Sequence, residues 1–323
     1  MTGAPLEGLP ERLSLAYEAE VCLSARDGRS VWRMRRRADR EPFVLKLSLE
    51  GTEDLAEEFR LLNRLARQLP GVVPAPLDYF REGGTDYLLR SWLPGETLEQ
   101  FRLRTGGCGA GRCAEIGRKL CALLGTLHGL DPPIIHRDIK PENIILLPGG
   151  GVGLIDFGIA RQYKPEQDRD TRHLGTRSTA APEQYGYAQT DRRTDLYGLG
   201  MTLLWLLTGD YDRDGLNHVP RRLRQCLKKA VSFAPKDRYQ DAAAFSAALA
   251  GHRRRSLLLA AVLAVLLAAG LWAVGSGQRT VAFDSQSLEL AVRTELGRPA
   301  GAIRYRDLEK VERLAVVGMA PFS

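Results

Sequence analysis

The sequence predicts an α+β fold in two lobes, a small β-rich lobe followed by a larger α-helical one, with a single transmembrane helix after them. Three observations carry this: strand-like segments come first, helix-periodic segments follow, and an uncharged apolar run comes last. The run Pro-Phe-Val-Leu-Lys-Leu-Ser-Leu at 42–49 reads as a strand. Residues 54–69 place Leu55, Phe59, Leu62 and Leu65 at helical spacing, and Tyr-Leu-Leu at 87–89 is a further short strand. Residues 112–128 put Ile116, Leu120, Leu124 and Leu127 on one face, which predicts a core-packed helix. A second apolar helix over 195–208 stops at Gly209. Glycine-rich stretches at 106–111 and 149–153 read as connections, and no internal repeat is present.

The apolar run at 257–274, LLLAAVLAVLLAAGLWAV, holds 18 residues without a charge. That is the length a helix needs to cross about 30 Å of hydrocarbon. A helix buried in a protein core usually keeps a polar stripe, and this one has none. His252 and Arg253 to Arg255 precede it, while Gly275-Ser276-Gly277 follow, so the positive-inside rule puts the N-terminal part in the cytoplasm and the C-terminus outside. Trp272 suits an interfacial anchor. The expected organisation is an N-terminal extension at 1–14, one domain at 15–250, a basic juxtamembrane segment at 251–256, the span at 257–274 and a small extracytoplasmic segment at 275–323. The expected location is the cell membrane, crossed once.

Composition agrees with a folded chain: of 323 residues, 44% are apolar and 26% charged. The net charge of +7 comes from 46 basic and 39 acidic residues. Its Arg runs are short, which reads as solvated surface and not as a nucleic-acid interface. The five cysteines all precede residue 227, and no pair has Cys-x-x-Cys or zinc-finger spacing, so free thiols in a reducing cytosol are expected. The first 20 residues contain prolines and charges but no apolar run, so no signal peptide is expected.

The chemistry lies in a series of short motifs. His136-Arg137-Asp138-Ile139-Lys140-Pro141-Glu142-Asn143 follows the turn signal Asp131-Pro132-Pro133. Asp156-Phe157-Gly158 comes 18 residues after Asp138, behind an apolar strand. Lys46 stands among apolar strand residues, where an ammonium needs a partner. Glu58 lies in Glu-Phe-Arg-Leu-Leu-Asn-Arg-Leu; Ala181-Pro182-Glu183, Asp195 and Arg238 complete the set. Together these residues resemble the bacterial eukaryotic-like Ser/Thr protein kinases of receptor type, across 15–250.

That resemblance implies a two-lobed protein-kinase fold, ATP and Mg²⁺ (or Mn²⁺) as cofactors, and protein substrates with Ser or Thr hydroxyls. It implies Asp138 as the group that orients the substrate hydroxyl and takes its proton, and Lys140 on the γ-phosphate. Asn143 and Asp156 would be the metal ligands. Lys46 would reach the α- and β-phosphates and pair with a helix glutamate; Glu58 fits best, with Glu57 and Glu53 as alternatives. Glu183 with Arg238, and Asp195 beneath the catalytic loop, would be structural. Lys140 and Gly175-Thr176 point to Ser/Thr and not to small-molecule substrates. Arg137 implies an activation loop ordered by phosphorylation, with Thr171 the expected site, Ser178 and Thr179 alternatives, and Thr176 a substrate contact. Trans-autophosphorylation in a homodimer is also implied, with Ala264, Ala268 and Ala269 permitting close helix packing.

The resemblance departs at the glycine-rich loop. Ser24, Arg26 and Arg29 hold the glycine positions, and Gly28 is one place out, which predicts weaker nucleotide binding or a changed loop path. Arg90, near the position that gates the nucleotide pocket, is unusual there. A pseudokinase scaffold that binds partners or nucleotide without turnover is therefore the alternative. Arg33, Arg35, Arg36, Arg37 and Arg40 read as a solvated strand face. In the tail, 287–296 is expected to be an amphipathic helix and 314–317 a strand, weakly resembling the cap that precedes leucine-rich repeats.

Overall fold

A computed structural model describes residues 8–49, 52–162, 178–186, 189–277 and 279–312, without the side chains of 162, 252–261, 270 and 273–277. The expectations for Thr171, Gly175, Thr176 and the 314–317 strand lie outside the described residues. The chain divides into two units, Met1–His252 and Arg253–Ser323.

In the first unit a short helix α1 (Glu11–Ser14) leads into a hairpin, β1 (Tyr17–Arg26) and β2 (Arg29–Arg36). Arg26 pairs with Arg29, so the connection is only Asp27-Gly28, with φ of 47° and 75°. Two successive positive φ values match the right-handed twist of the strands and favour an Asp-Gly pair. Strand β3 (Pro42–Leu49) follows, then helix α2 (Leu55–Gln68). Asp54 caps α2 by accepting the Glu57 N–H at 3.0 Å, which contributes about 1 kcal/mol. Strands β4 (Pro76–Glu82) and β5 (Thr85–Ser91) complete an antiparallel sheet in the order β1-β2-β3-β5-β4.

Strand alternation gives this sheet two faces. Phe43 and Leu45 join Leu13, Met34, Tyr87 and Leu89 in a small core on one face. On the other face Leu88 packs with Leu61, Leu62 and Leu65 of α2, within the main core. Lys46 pairs with Leu88 in register and Val44 with Arg90, so alternation puts both cations on the α2 side.

The second lobe is mostly helical. After β6 (Glu96–Thr97) come α3 (Leu98–Thr105) and α4 (Ala110–His128). Short strands β7 (Ile134–Ile135), β8 (Ile144–Leu146), β9 (Val152–Leu154) and β10 (Arg161–Gln162) frame the loops that carry the motifs. Helix α5 (Arg192–Thr208) is buried along nearly its whole length, α6 (Arg221–Ala230) packs beside it, and α7 (Ala242–Gly277) brings its first turns to the same core. Ile116, Leu120, Leu124 and Leu127 of α4 lie in the main core with Leu199 and Leu203 of α5, and with Phe245 and Leu249 from the first turns of α7.

Among the described residues, no helix is long and apolar enough to cross a membrane. The side chains of 257–261, 270, 273 and 274, part of the span expected at 257–274, lie outside the described residues. In the second unit, Val281 N–H bonds to Ile303 carbonyl at 2.8 Å, and α8 (Gln286–Glu295) buries Val292. A short helix α9 (Tyr305–Leu308) follows.

Candidate active site

Lys46 stands at the centre of one cluster. Its Nζ donates to Glu58 Oε2 at 2.7 Å, Glu53 Oε1 at 2.7 Å and Asp156 Oδ1 at 2.9 Å. The lysine is 4% exposed and Glu58 2% exposed. A buried ammonium is tolerated only with such partners. Burial works to lower the Lys46 pKa, but Asp156, Glu58 and Glu53 outweigh it and hold it above its ordinary value. Burial likewise pushes Asp156 up, while Lys46, Arg90 and Lys140 hold its carboxyl well below the usual range. For Glu53 burial prevails over Lys46, and its pKa is raised.

Two of the candidate glutamates, Glu58 and Glu53, therefore meet Lys46; Glu57 instead pairs with Arg60 at 2.6 Å on the helix surface. The motif resemblance preferred Glu58 and kept Glu53 as an alternative; both reach Lys46, Glu53 from the loop ahead of α2. A Cβ on Gly158 would fall 1.7 Å from Glu53 Oε1 and 2.9 Å from Lys46 Nζ. Glycine is what lets the Asp156-Phe157-Gly158 backbone pass this close.

The second cluster is the loop between β7 and β8. Asn143 Nδ2 donates to the Asp138 carbonyl at 3.0 Å and to Asp138 Oδ2 at 2.9 Å. Lys140 Nζ lies 2.7 Å from the same Oδ2. Asp138 is thereby held at one oxygen by both neighbours. The clusters are tied together by backbone: Ile155 N–H bonds to Asn143 carbonyl at 2.9 Å, one residue ahead of Asp156. His136 also sets its ring edge against Phe157, with centroids 4.7 Å apart.

Two site residues hold strained backbone. Arg137 has φ 70° and Asp156 φ 65°, in the left-handed region that costs a non-glycine residue about 1–3 kcal/mol. Buried partners impose this at Arg137. Asp195 accepts the His136 N–H at 2.9 Å and the Arg137 N–H at 2.7 Å, and His128 Nε2 lies 2.8 Å from it. Gln184 Nε2 donates to the Arg137 carbonyl at 2.8 Å. Sequence reasoning missed His128 and Gln184, since neither sits in a motif of its own. Glu183 and Arg238 form a bidentate pair at 2.7 and 2.8 Å, both buried, and Thr194 Oγ1 adds a bond to Glu183 at 2.8 Å.

Asp156 and Asn143 offer a carboxylate and an amide oxygen, hard donors of the type Mg²⁺ takes. The Asp156 side chain is 39% exposed, and Lys46 uses only its Oδ1, so this carboxylate has an oxygen left for a cation. Glu53, Glu58 and Asp156 also bring carboxylate oxygens within 4.8 Å of one another, but the Lys46 ammonium already fills that cluster. The β1–β2 tip presents exposed Arg26 and Arg29 around its two-residue turn. Arg35, Arg36 and Arg37 pair with Glu20, Asp39 and Glu18, consistent with a solvated strand face.

Residues 29–247 match the family model for the protein kinase domain. The chain is 32% identical over 221 residues to serine/threonine-protein kinase C of Synechocystis sp., covering 62% of this chain and 41% of that protein. It is 34% identical over 201 residues to serine/threonine-protein kinase pkn2 of Myxococcus xanthus, covering 59% and 23%. For serine/threonine-protein kinase PknL of Mycobacterium tuberculosis, the figures are 28% over 239 residues, covering 66% and 59%. The matched region is thus less than two thirds of each of these relatives.

Proposed function

The chain belongs to the protein kinase family, and from that premise we propose that it transfers the γ-phosphate of ATP to Ser or Thr hydroxyls of proteins, itself included. The observation that carries this reading is Lys46 bonded to both Glu58 and Asp156 at 2.7 and 2.9 Å, a short backbone link away from Asp138. Asp138 orients the substrate hydroxyl and takes its proton as the oxygen bonds to phosphorus; the bond to the leaving ADP oxygen breaks. Lys46 and Lys140 supply fixed positive charge to the phosphates, where it is needed as charge redistributes. Mg²⁺ held by Asp156 and Asn143 would neutralise charge on the phosphoryl oxygens. The test is phosphate transfer from labelled ATP by the full chain to itself and to a generic protein substrate. Nucleotide binding without transfer would establish the pseudokinase reading instead.

The reading includes a membrane anchor at 257–274. It is supported by the 18 uncharged residues and by the exposure of the described part, 262–269 with Leu271 and Trp272, on every side of α7. Arg253 to Arg255 then keep the kinase domain cytoplasmic, with 275–323 outside, as a receptor-type enzyme would have it. Extraction of membranes at alkaline pH tests it: release of the chain into the supernatant removes the anchor. Pairing through Ala264, Ala268 and Ala269 and autophosphorylation at Thr171 belong to the same reading. Crosslinking in membranes and phosphopeptide mapping test them; monomers only, or active protein unmodified at Thr171, would remove each in turn.

A further inference from the structure

Arg90 is a second cation in the Lys46 cluster, and no motif accounts for it. It lies on β5 at the register position opposite Val44, one same-face step from Leu88, which pairs with Lys46. It is 4% exposed, and its Nη1 stands 3.7 Å from Glu58 Oε1. Its Nε and Nη1 make no hydrogen bond among the described residues. A guanidinium keeps its proton in any protein setting, so this is a permanent buried charge with donors in reserve.

The charges around it explain why one is needed. Glu53, Glu58 and Asp156 all bond to the one Lys46 ammonium. In phosphoryl transfer that ammonium is shared with the nucleotide phosphates. Glu58, at 2% exposure, has no access to water as a substitute. Its Oε2 faces Lys46, while its Oε1 is left with the Phe157 N–H at 3.4 Å and with Arg90. A buried carboxylate that loses its counter-charge is strongly disfavoured. Without a second cation, Glu58 would compete with the phosphates for Lys46.

We propose that Arg90 is a positioning residue of the phosphotransfer site, holding Glu58 and thereby α2 in place while Lys46 shares its charge with the nucleotide phosphates. The inference rests on the kinase reading above. It predicts that the cationic head, and not the bulk, of residue 90 sets nucleotide affinity through Glu58.

The experiment compares the full-length wild type with Arg90→Met, Arg90→Lys and Arg90→Gln, alone and with Glu58→Gln. Calorimetry gives the Kd for Mg²⁺·ATP, steady-state transfer gives KM and kcat, and thermal unfolding gives Tm. Arg90→Met is expected to raise Kd and KM for ATP by about tenfold, with kcat falling less. Its unliganded Tm should stay near the wild-type value, because an apolar side chain of similar size replaces a buried charge without loss of packing. Arg90→Lys should recover most of the affinity, and the Arg90→Met effect should vanish in the Glu58→Gln background. A Kd within twofold of wild type in Arg90→Met overturns the proposal, as does an equal loss in the Glu58→Gln background. If Arg90→Met does not fold, Arg90→Lys against Arg90→Gln decides: equal affinities in the two also overturn it. A wild type that binds nucleotide but transfers no phosphate would sink the kinase reading alone, since the Kd comparison stands without turnover.

Discussion

The Asp195 carboxylate holds Arg137 in a left-handed backbone conformation, accepting its N–H at 2.7 Å where φ is 70°. Asp195 is 1% exposed and fixes the His136 N–H through its other oxygen. The residue after Arg137 is Asp138, so the strained turn aims the carboxylate proposed to take the substrate proton. Asp195→Asn keeps the shape but replaces one acceptor with a donor that faces an N–H. It is expected to cost about 3 kcal/mol of stability, and kcat by about 100-fold with the ATP Kd little changed. Urea unfolding alongside steady-state transfer checks this. Full activity in Asp195→Asn would mean that the turn is held by other contacts, of which Gln184 on the Arg137 carbonyl is one.

Asp138 and Lys46 should separate in kinetics. Asp138 is bonded by the loop residues Asn143 and Lys140, whereas Lys46 is bonded to the residues that flank the nucleotide phosphates in the proposed mechanism. Asp138→Asn is expected to lower kcat by about 10²–10⁴ with the ATP Kd within about threefold. Lys46→Met removes the partner of three carboxylates at once and should weaken both binding and turnover. Calorimetry with single-turnover transfer distinguishes the two. Equal losses of affinity in both variants would contradict the roles assigned.

What the sequence disclosed and what it withheld follow from one physical distinction. Asp138, Lys140 and Asn143 fall within six residues, so a short segment displays their whole arrangement. The helices at 54–69, 112–128 and 195–208 show themselves because each buries a face or its entire surface in the core, as α2, α4 and α5 do. His128 and Gln184 reach their partners across tertiary contacts, from helix end and turn, with no spacing to mark them, and Glu53, named only as an alternative, reaches Lys46 from the loop ahead of α2. Arg90 stood out in sequence only as an oddity; its meaning comes from strand register, which puts it on the Lys46 side of the sheet. The degenerate glycine-rich loop was legible as a departure, but its replacement by a two-residue turn depends on the Arg26–Arg29 pairing.

That turn makes a prediction of its own. Gly28 has φ 75°, and a Cβ there would lie 3.0 Å from Leu49 Cδ1. Gly28→Val is expected to destabilise the domain by about 1–2 kcal/mol, a fall in Tm of several degrees. Its ATP Kd should move by less than about threefold, because the tight tip leaves a single glycine and no run of N–H groups to cradle phosphate. Thermal unfolding and calorimetry check both halves. A large loss of nucleotide affinity with Tm unchanged would mean that the tip closes over the phosphates despite its sequence.

The buried Asp195 also sets a pH window. Burial pushes its carboxyl up, but the bond to His128 and the charges and N–H groups around it prevail, so its folded pKa lies below the ordinary 3.8. The unfolded chain therefore binds this proton first as pH falls. The stability that Asp195 contributes is complete above the unfolded value and is lost as pH drops through the folded one. The difference in urea midpoint between wild type and Asp195→Asn should accordingly shrink as pH falls below about 4. Measured midpoints at unit intervals of pH test the sign directly. A gap that widens below about pH 4 would mean that the protonated carboxyl is the better partner for His128 and the loop N–H groups, the reverse of the arrangement described.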